Sequence, residues 1–208
     1  MKEKTVKQWP QELANKDSKY GGGSAASVVG AFAANLAQFV FELQQGRVKY
    51  EDNDDEITAA IKKAAELADT LLDLAEEDAD AFDPVLDLFK LPKDTKEEKD
   101  YRRAQIDQGL EKAAQPPFEI IENMDEVLDL FEELLALEVR GTITDDIAVG
   151  LYFTEATIEA GKINCMVNIK LIKDKDLKER LTAEVDELYT TTLKRAQTLK
   201  VEVIEILD

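Results

Sequence analysis

The run SAASVVGAFAANLAQFVF, from Ser24 to Phe41, is eighteen consecutive uncharged residues placed directly after Gly21-Gly22-Gly23. In a chain of which 34% is charged, that run dictates how everything else must be arranged. Eighteen residues is the lower edge of a membrane-crossing helix. Asn35 and Gln38 interrupt it, however, no second such segment occurs, and the other helical segments each keep a polar face. A helix apolar all round is equally what the centre of a bundle requires. The expectation is therefore a long, nearly all-apolar central helix, buried, with no membrane partner. Its small residues Ala26, Gly30, Ala33 and Ala37 recur at helical spacing, which lets a helix of the same chain or of a second subunit approach closely.

The remaining segments read as helices around that centre. Glycine and proline are confined to a few points, and the stretches between them are helix-periodic, roughly at 5–17, 24–45, 53–90, 95–115, 117–138, 145–172 and 175–206. Thr95 followed by Glu98 fits a capping box, Pro117 suits a first helical turn, and Thr144 or Asp145 suits a cap after Gly141. Few runs alternate with period two. With 208 residues, enough for one sizeable core, the expectation is one all-α domain, a helical bundle spanning 1–208.

Composition narrows the chemistry. A net charge of −19 argues against a nucleic-acid partner, which needs clustered Lys and Arg. The single Cys165 excludes an intramolecular disulfide and a multi-Cys zinc site. With no histidine, the commonest general base and transition-metal ligand are both missing, so catalysis must rest on carboxylates, lysines, hydroxyls, amides or bound water. MKEKTVKQWPQEL has no apolar signal core, so the cytoplasm is the expected location.

Three motifs carry candidate chemistry. Gly21-Gly22-Gly23 before a helix fits a tight turn, and fits equally a row of bare backbone N–H groups facing an anion. It lacks the Gly-Lys-Ser/Thr ending of a nucleotide P-loop, and no strand precedes it. In LLDLAEEDADAFDPVLDLF an apolar stripe runs through Leu71, Ala75, Phe82, Val85 and Phe89. Continuing that spacing lands on Asp78, while Asp73, Glu76, Glu77, Asp80 and Asp87 fall mainly on the polar side. A carboxylate turned toward a core has a raised pKa suited to proton transfer, or it bonds a neighbouring helix end. Pro84, one turn later, interrupts the backbone ladder, and a kink there helps open a cavity. After Gly141, Ile147, Leu151, Ile158, Cys165, Ile169 and Ile172 form a second stripe, with Thr157, Gly161, Asn164 and Asn168 along an adjoining line. The two asparagines suit hydrogen bonds to a flat heterocycle or to buried helix ends, and Asp145 suits a helix start.

The pieces GGGSAAS, EEDADAFDPVLDLFKLPKDTKEEK, AAQPPFEI, TDDIAVGLYFTEA and INCMVNIKL, in this order and covering nearly the whole chain, resemble the formiminotransferase-cyclodeaminase family. The resemblance is to its cyclodeaminase domain and to stand-alone methenyltetrahydrofolate cyclohydrolases. It implies an all-helical homodimer that takes a tetrahydrofolate derivative as substrate and uses no metal and no further cofactor. It also implies Asp78 as the acid/base carboxylate, Gly21, Gly22, Gly23 and Ser24 as the pocket floor, and Asp145, Asn164 and Asn168 as its lining.

The implied chemistry closes or opens a ring about the one carbon bridging N5 and N10 of the folate, either as cyclodeaminase or as cyclohydrolase. A non-catalytic helical dimer that binds a folate-like ligand is the alternative. Folate carries an anionic glutamate tail and this chain is strongly acidic, so local cations must hold that tail. Arg47, Lys49, Lys93 and Arg140 are the positives nearest the predicted pocket loops, and Lys93, after Leu-Pro, is taken as substrate-binding.

Overall fold

The computed structural model describes residues 4–207; of the expected domain 1–208, residues 1–3 and 208 lie outside it. Among the described residues there is no strand, and the chain forms one helical domain. The helices are α1 (Gln8–Leu13), α2 (Gly22–Gln44), α3 (Asp54–Ala81), α4 (Asp83–Leu88), α5 (Lys96–Ala113), α6 (Gln115–Ala136), α7 (Thr144–Leu171) and α8 (Lys175–Leu207). A 3-10 turn, Val48–Asn53, links α2 to α3.

The uncharged run becomes α2, packed against α3, α6 and α7. Its small residues do the packing inside the chain: Ala33, Ala34 and Ala37 are fully buried, and a Cβ on Gly30 would come within 3.1 Å of the Thr157 methyl group. Two side-chain bonds tie the helices together, Ser27 Oγ donating to the Leu71 carbonyl and Thr157 Oγ1 to the Ala26 carbonyl. Gly22 lies beside Asn164 and Gly30 beside Thr157, so α2 and α7 run antiparallel.

The expectation of burial on every side needs correction. By length and composition α2 alone among the described helices is apolar enough to cross a membrane, yet only 56% of its most apolar window is buried. Phe32, Phe39 and Leu43 remain 46–49% exposed. On α7, Val149, Ile163 and Val167 are exposed as well. Both helices pack on α6, so the two apolar stripes share the face turned away from it.

Proline sets the breaks. The expected helix over 53–90 is two helices, because Pro84 lacks an N–H and its ring crowds the carbonyl one turn back. The apolar stripe holds through Leu71, Ala75 and Val85, with Phe82 half-buried, and ends there. Phe89 is 42% exposed, its ring under the Arg102 guanidinium. Pro116 and Pro117 open α6. Since Pro117 has no N–H, the Ala113 carbonyl lacks its helical donor, and Asn168 Nδ2 supplies one at 2.9 Å.

The capping box of α5 forms as expected: Thr95 Oγ1 accepts the Glu98 N–H and Glu98 Oε2 accepts the Thr95 N–H, each at 3.1 Å. The cap expected on α7 does not. Ile143 precedes that helix without a side-chain cap, Thr144 is buried with its hydroxyl unpartnered, and Asp145 Oδ1 accepts only the next N–H, of Asp146. At the N-terminus the helix over 5–17 shortens to α1. Between α7 and α8 the chain turns on a buried carboxylate that no sequence motif announced. Asp107 accepts two bonds from Arg103 and the backbone N–H groups of Lys173 and Asp174.

Candidate active site

Asp78 stands in the last turn of α3, aimed at the first turn of α2. That first turn has N–H groups with no partner inside the helix. Ser24 Oγ donates to Asp78 Oδ2 at 3.3 Å, and the Ser24 N–H faces the same carboxylate. The approach depends on Gly23: a Cβ there would lie 2.3 Å from Asp78 Oδ1 and 2.4 Å from Oδ2. Gly21 is the cap residue, in extended conformation, and its carbonyl accepts the Ala25 N–H.

The electrostatics follow from this position. Burial raises the Asp78 pKa above the ordinary aspartate value and outweighs the lowering by the hydroxyl and N–H of Ser24. The positive end of the α2 dipole faces the same carboxylate. Behind it the Cys165 thiol is fully buried. Burial lifts its pKa to about 12, with its own backbone hydrogen bond lowering it and the Asp78 charge adding to the rise. The thiol stays protonated, and Asp78 is the group able to move a proton here.

The side of the turn is closed by α7. A Cβ on Gly22 would meet the Asn164 amide at 3.8 Å, and Asn164 Nδ2 donates to the Ala160 carbonyl of its own helix. Asn164 Oδ1 stands beside the turn as an acceptor, 3.8 Å from where a Gly22 Cβ would lie. Asn168, one turn on, has its amide N–H on the α5 end and so shapes the site by holding the α5–α6 junction. Gly161 is needed for the same packing, since a Cβ would come 2.7 Å from Ile121.

The structure thus brings Gly21, Gly22, Gly23, Ser24, Asp78 and Asn164 together, and leaves others apart. Asp145 and Asn164 are nineteen residues apart in one helix, so about 28 Å separates them at 1.5 Å per residue. Arg47, Lys49 and Arg140, expected near the pocket, belong to the far end of α2. There Arg47 bonds Gln44, Lys49 bonds the Glu138 carbonyl, and Arg140 bonds the Val139 carbonyl. Lys93 is exposed in the loop between α4 and α5. A cavity of about 550 Å³ lined by Phe41, Ile57, Lys63 and Glu133 also lies at the opposite end of α3 from Asp78.

Sequence reasoning missed the residues that lead into the turn. Tyr20 Oη is 3.0 Å from both carboxylate oxygens of Glu76, and Lys19 Nζ reaches Asp80 at 2.7 Å and Glu76 at 3.1 Å. These partners are more than fifty residues apart, and no local pattern links them. Among the described residues, no group of three or more Asp, Glu or Cys side chains is placed to hold a metal ion.

The chain is 30% identical over 184 residues to a methenyltetrahydrofolate cyclohydrolase of Methylorubrum extorquens, covering 88% of each protein. It is 28% identical over 207 residues to the formimidoyltransferase-cyclodeaminase of Sus scrofa, covering 99% of this chain and 37% of that one. It therefore spans little more than a third of that longer relative. In fold it matches the formiminotetrahydrofolate cyclodeaminase of Thermotoga maritima with a TM-score of 0.81 at 23% identity, over 98% of both chains. The family model described as formiminotransferase-cyclodeaminase matches residues 5–187. With the turn, Asp78 and both flanking helices inside that match, the chain belongs to the formiminotransferase-cyclodeaminase family.

Proposed function

We propose that this chain acts on the one-carbon unit held at N5 and N10 of tetrahydrofolate, as a formimidoyltetrahydrofolate cyclodeaminase or a methenyltetrahydrofolate cyclohydrolase. The family membership and the names of its relatives support the substrate class. The observation that carries the chemistry is Asp78, a carboxyl of raised proton affinity held by Ser24 at a helix start.

In cyclodeamination, N10 attacks the carbon of the protonated formimino group and forms the N10–C bond, giving a tetrahedral carbon that carries N5, N10 and the amino group. Asp78 takes the N10 proton, then returns it to the amino group, and the C–N bond to ammonia breaks to leave the methenyl cation. In cyclohydrolysis, water adds to the methenyl carbon while Asp78 takes one of its protons. The ring then opens at N5, which is protonated, and 10-formyltetrahydrofolate and one proton result. One carboxyl that alternates between base and acid serves either route. Gly21, Gly22, Gly23 and Ser24 form the floor beneath the ring, Asn164 offers it an acceptor, and Lys93 is the cation on this chain for the glutamate tail.

Asp145 enters through a second copy. The exposed stripe of Phe32, Phe39 and Leu43 on α2, beside Val149, Ile163 and Val167 on α7, suits a symmetric dimer contact. Pairing two such faces with their helices antiparallel sets the Asp145 end of one copy against the Asp78 end of the other. The same pairing brings Arg47, Lys49 and Arg140 of the second copy near the folate tail.

The test is spectroscopic. The protein is incubated separately with 5-formiminotetrahydrofolate and with 5,10-methenyltetrahydrofolate, and the methenyl chromophore is followed in the near ultraviolet. Appearance from the first identifies a cyclodeaminase, and accelerated loss of the second a cyclohydrolase. No rate above the uncatalysed control with either overturns the reading and leaves a ligand-binding dimer.

A further inference from the structure

The chain enters the glycine turn through two consecutive anchored residues. Tyr20 donates its hydroxyl to Glu76, and its backbone N–H is held by Ser18 Oγ at 3.1 Å. Lys19 bridges Glu76 and Asp80. The Tyr20 ring lies 6.2 Å from that of Trp9 in α1, with the Lys4 and Lys19 ammonium groups each 5.4 Å from its centre. Glu76 and Asp80 are four residues apart, on one face of α3, and Asp78 lies between them in sequence, pointing the other way. The clasp therefore grips the very turn of α3 that carries the candidate catalytic carboxylate.

Such a grip has mechanical work to do. Three glycines give the entry to α2 the largest backbone freedom a chain can have. The first turn of a helix also frays, because its N–H groups have no partners within the helix. Gly23 and Ser24 must nevertheless stay on Asp78, since proton transfer is sensitive to displacements of about 1 Å. We propose that Tyr20 is a positioning residue: with Lys19 it fastens the start of α2 to the Glu76–Asp80 face of α3 and so holds Ser24 against Asp78. Nothing in this geometry has Tyr20 touch the substrate; it acts through the turn. The kinetic consequence rests on the proposed folate activity, and the mechanical one does not.

The experiment compares the full-length wild type with Tyr20→Phe, Lys19→Met and Lys19→Arg. In Tyr20→Phe, amide hydrogen exchange at Ala25, whose N–H bonds the Gly21 carbonyl, and at Ser24, whose N–H faces Asp78, accelerates by about 10-fold, because local opening is released, while Ala33–Phe41 keeps its protection. With the folate substrate the wild type uses, kcat falls about 10-fold and KM changes less than about 2-fold, the signature of lost transition-state geometry without lost ground-state binding. Lys19→Met shows the same pattern more weakly, and Lys19→Arg restores it. Wild-type exchange in the turn of Tyr20→Phe overturns the proposal, as does a raised KM with unchanged kcat or a loss of protection throughout α2. If the wild type turns over neither folate, the functional reading falls, and the exchange data still decide the role of Tyr20.

Discussion

Gly23 and Asp78 are in contact across two helices at a distance that admits no side chain at position 23: an added Cβ would lie 2.3–2.5 Å from all three carboxylate atoms. Gly23→Ala therefore displaces Asp78 from Ser24. The variant folds at a cost of about 1–3 kcal/mol, the usual scale of overpacking, and loses activity by at least ~10²-fold, the scale of removing a general acid/base. Turnover near wild type in a folded Gly23→Ala protein would show that the contact is dispensable.

Asp78→Asn separates function from stability. Activity falls by at least ~10²-fold. In the wild type, the acid limb of the kcat/KM profile sits above the pH of an ordinary aspartate, because burial raises the pKa. The same shift has a stability cost of definite sign. A carboxyl whose folded pKa is raised makes the fold lose stability as pH rises from the unfolded value through the folded one. Asn lacks that cost, so the variant melts higher than wild type at pH 7, and the advantage disappears at a pH below both values. A gain of about 1 kcal/mol corresponds to about 2–4 °C in a chain of this size.

Asp107 behaves in the opposite way. Burial pushes its pKa up, but bonds from Arg103, Lys173 and Asp174 and the Arg103 charge together pull it below the ordinary value. A lowered carboxyl contributes stability that is present above the unfolded pKa and is lost as pH falls through the folded one. Asp107→Ala leaves those donors unpaired and costs about 2–3 kcal/mol at pH 7. Thermal melts at pH 7 and at pH 3 should show that difference shrinking in acid.

Complementation tests whether two chains share one site. Asp78→Asn and Asp145→Asn are each inactive alone. Mixed and allowed to exchange, they recover about one quarter of wild-type activity, because half of the dimers then contain one intact site of two. Phe32→Glu with Phe39→Glu leaves a monomer of ~23 kDa by sedimentation and abolishes the recovery, since charge on the proposed dimer face opposes pairing. No recovery between stable, exchanging dimers would overturn the shared site.

Local rules made the helices and Asp78 legible, because apolar spacing and proline act within one or two turns. Pro84 marks the break between α3 and α4 as well, although the spacing around it predicts a kink inside one helix rather than an end. The separation of Asp145 from Asn164 needed only the helical rise, since nineteen residues of one helix cannot fold back into a single pocket. Other features had no local sign. Asn168 takes a carbonyl orphaned by Pro117 fifty-one residues earlier, and Tyr20 finds Glu76 across fifty-six. The exposed half of α2 was hidden for a different reason: hydrophobicity says that a surface seeks cover, and does not say which chain provides it.

The buried thiol has a practical consequence. Cys165 is the chain's sole cysteine, and its pKa of about 12 leaves essentially no thiolate at neutral pH. Thiol-directed alkylating reagents find no reactive cysteine in the folded protein. A cysteine introduced at an exposed position, on the loop after α4 or along the outer face of α8, becomes the single reactive handle. Fluorophores or spin labels then report motion of the turn or pairing of subunits without any background cysteine having to be removed.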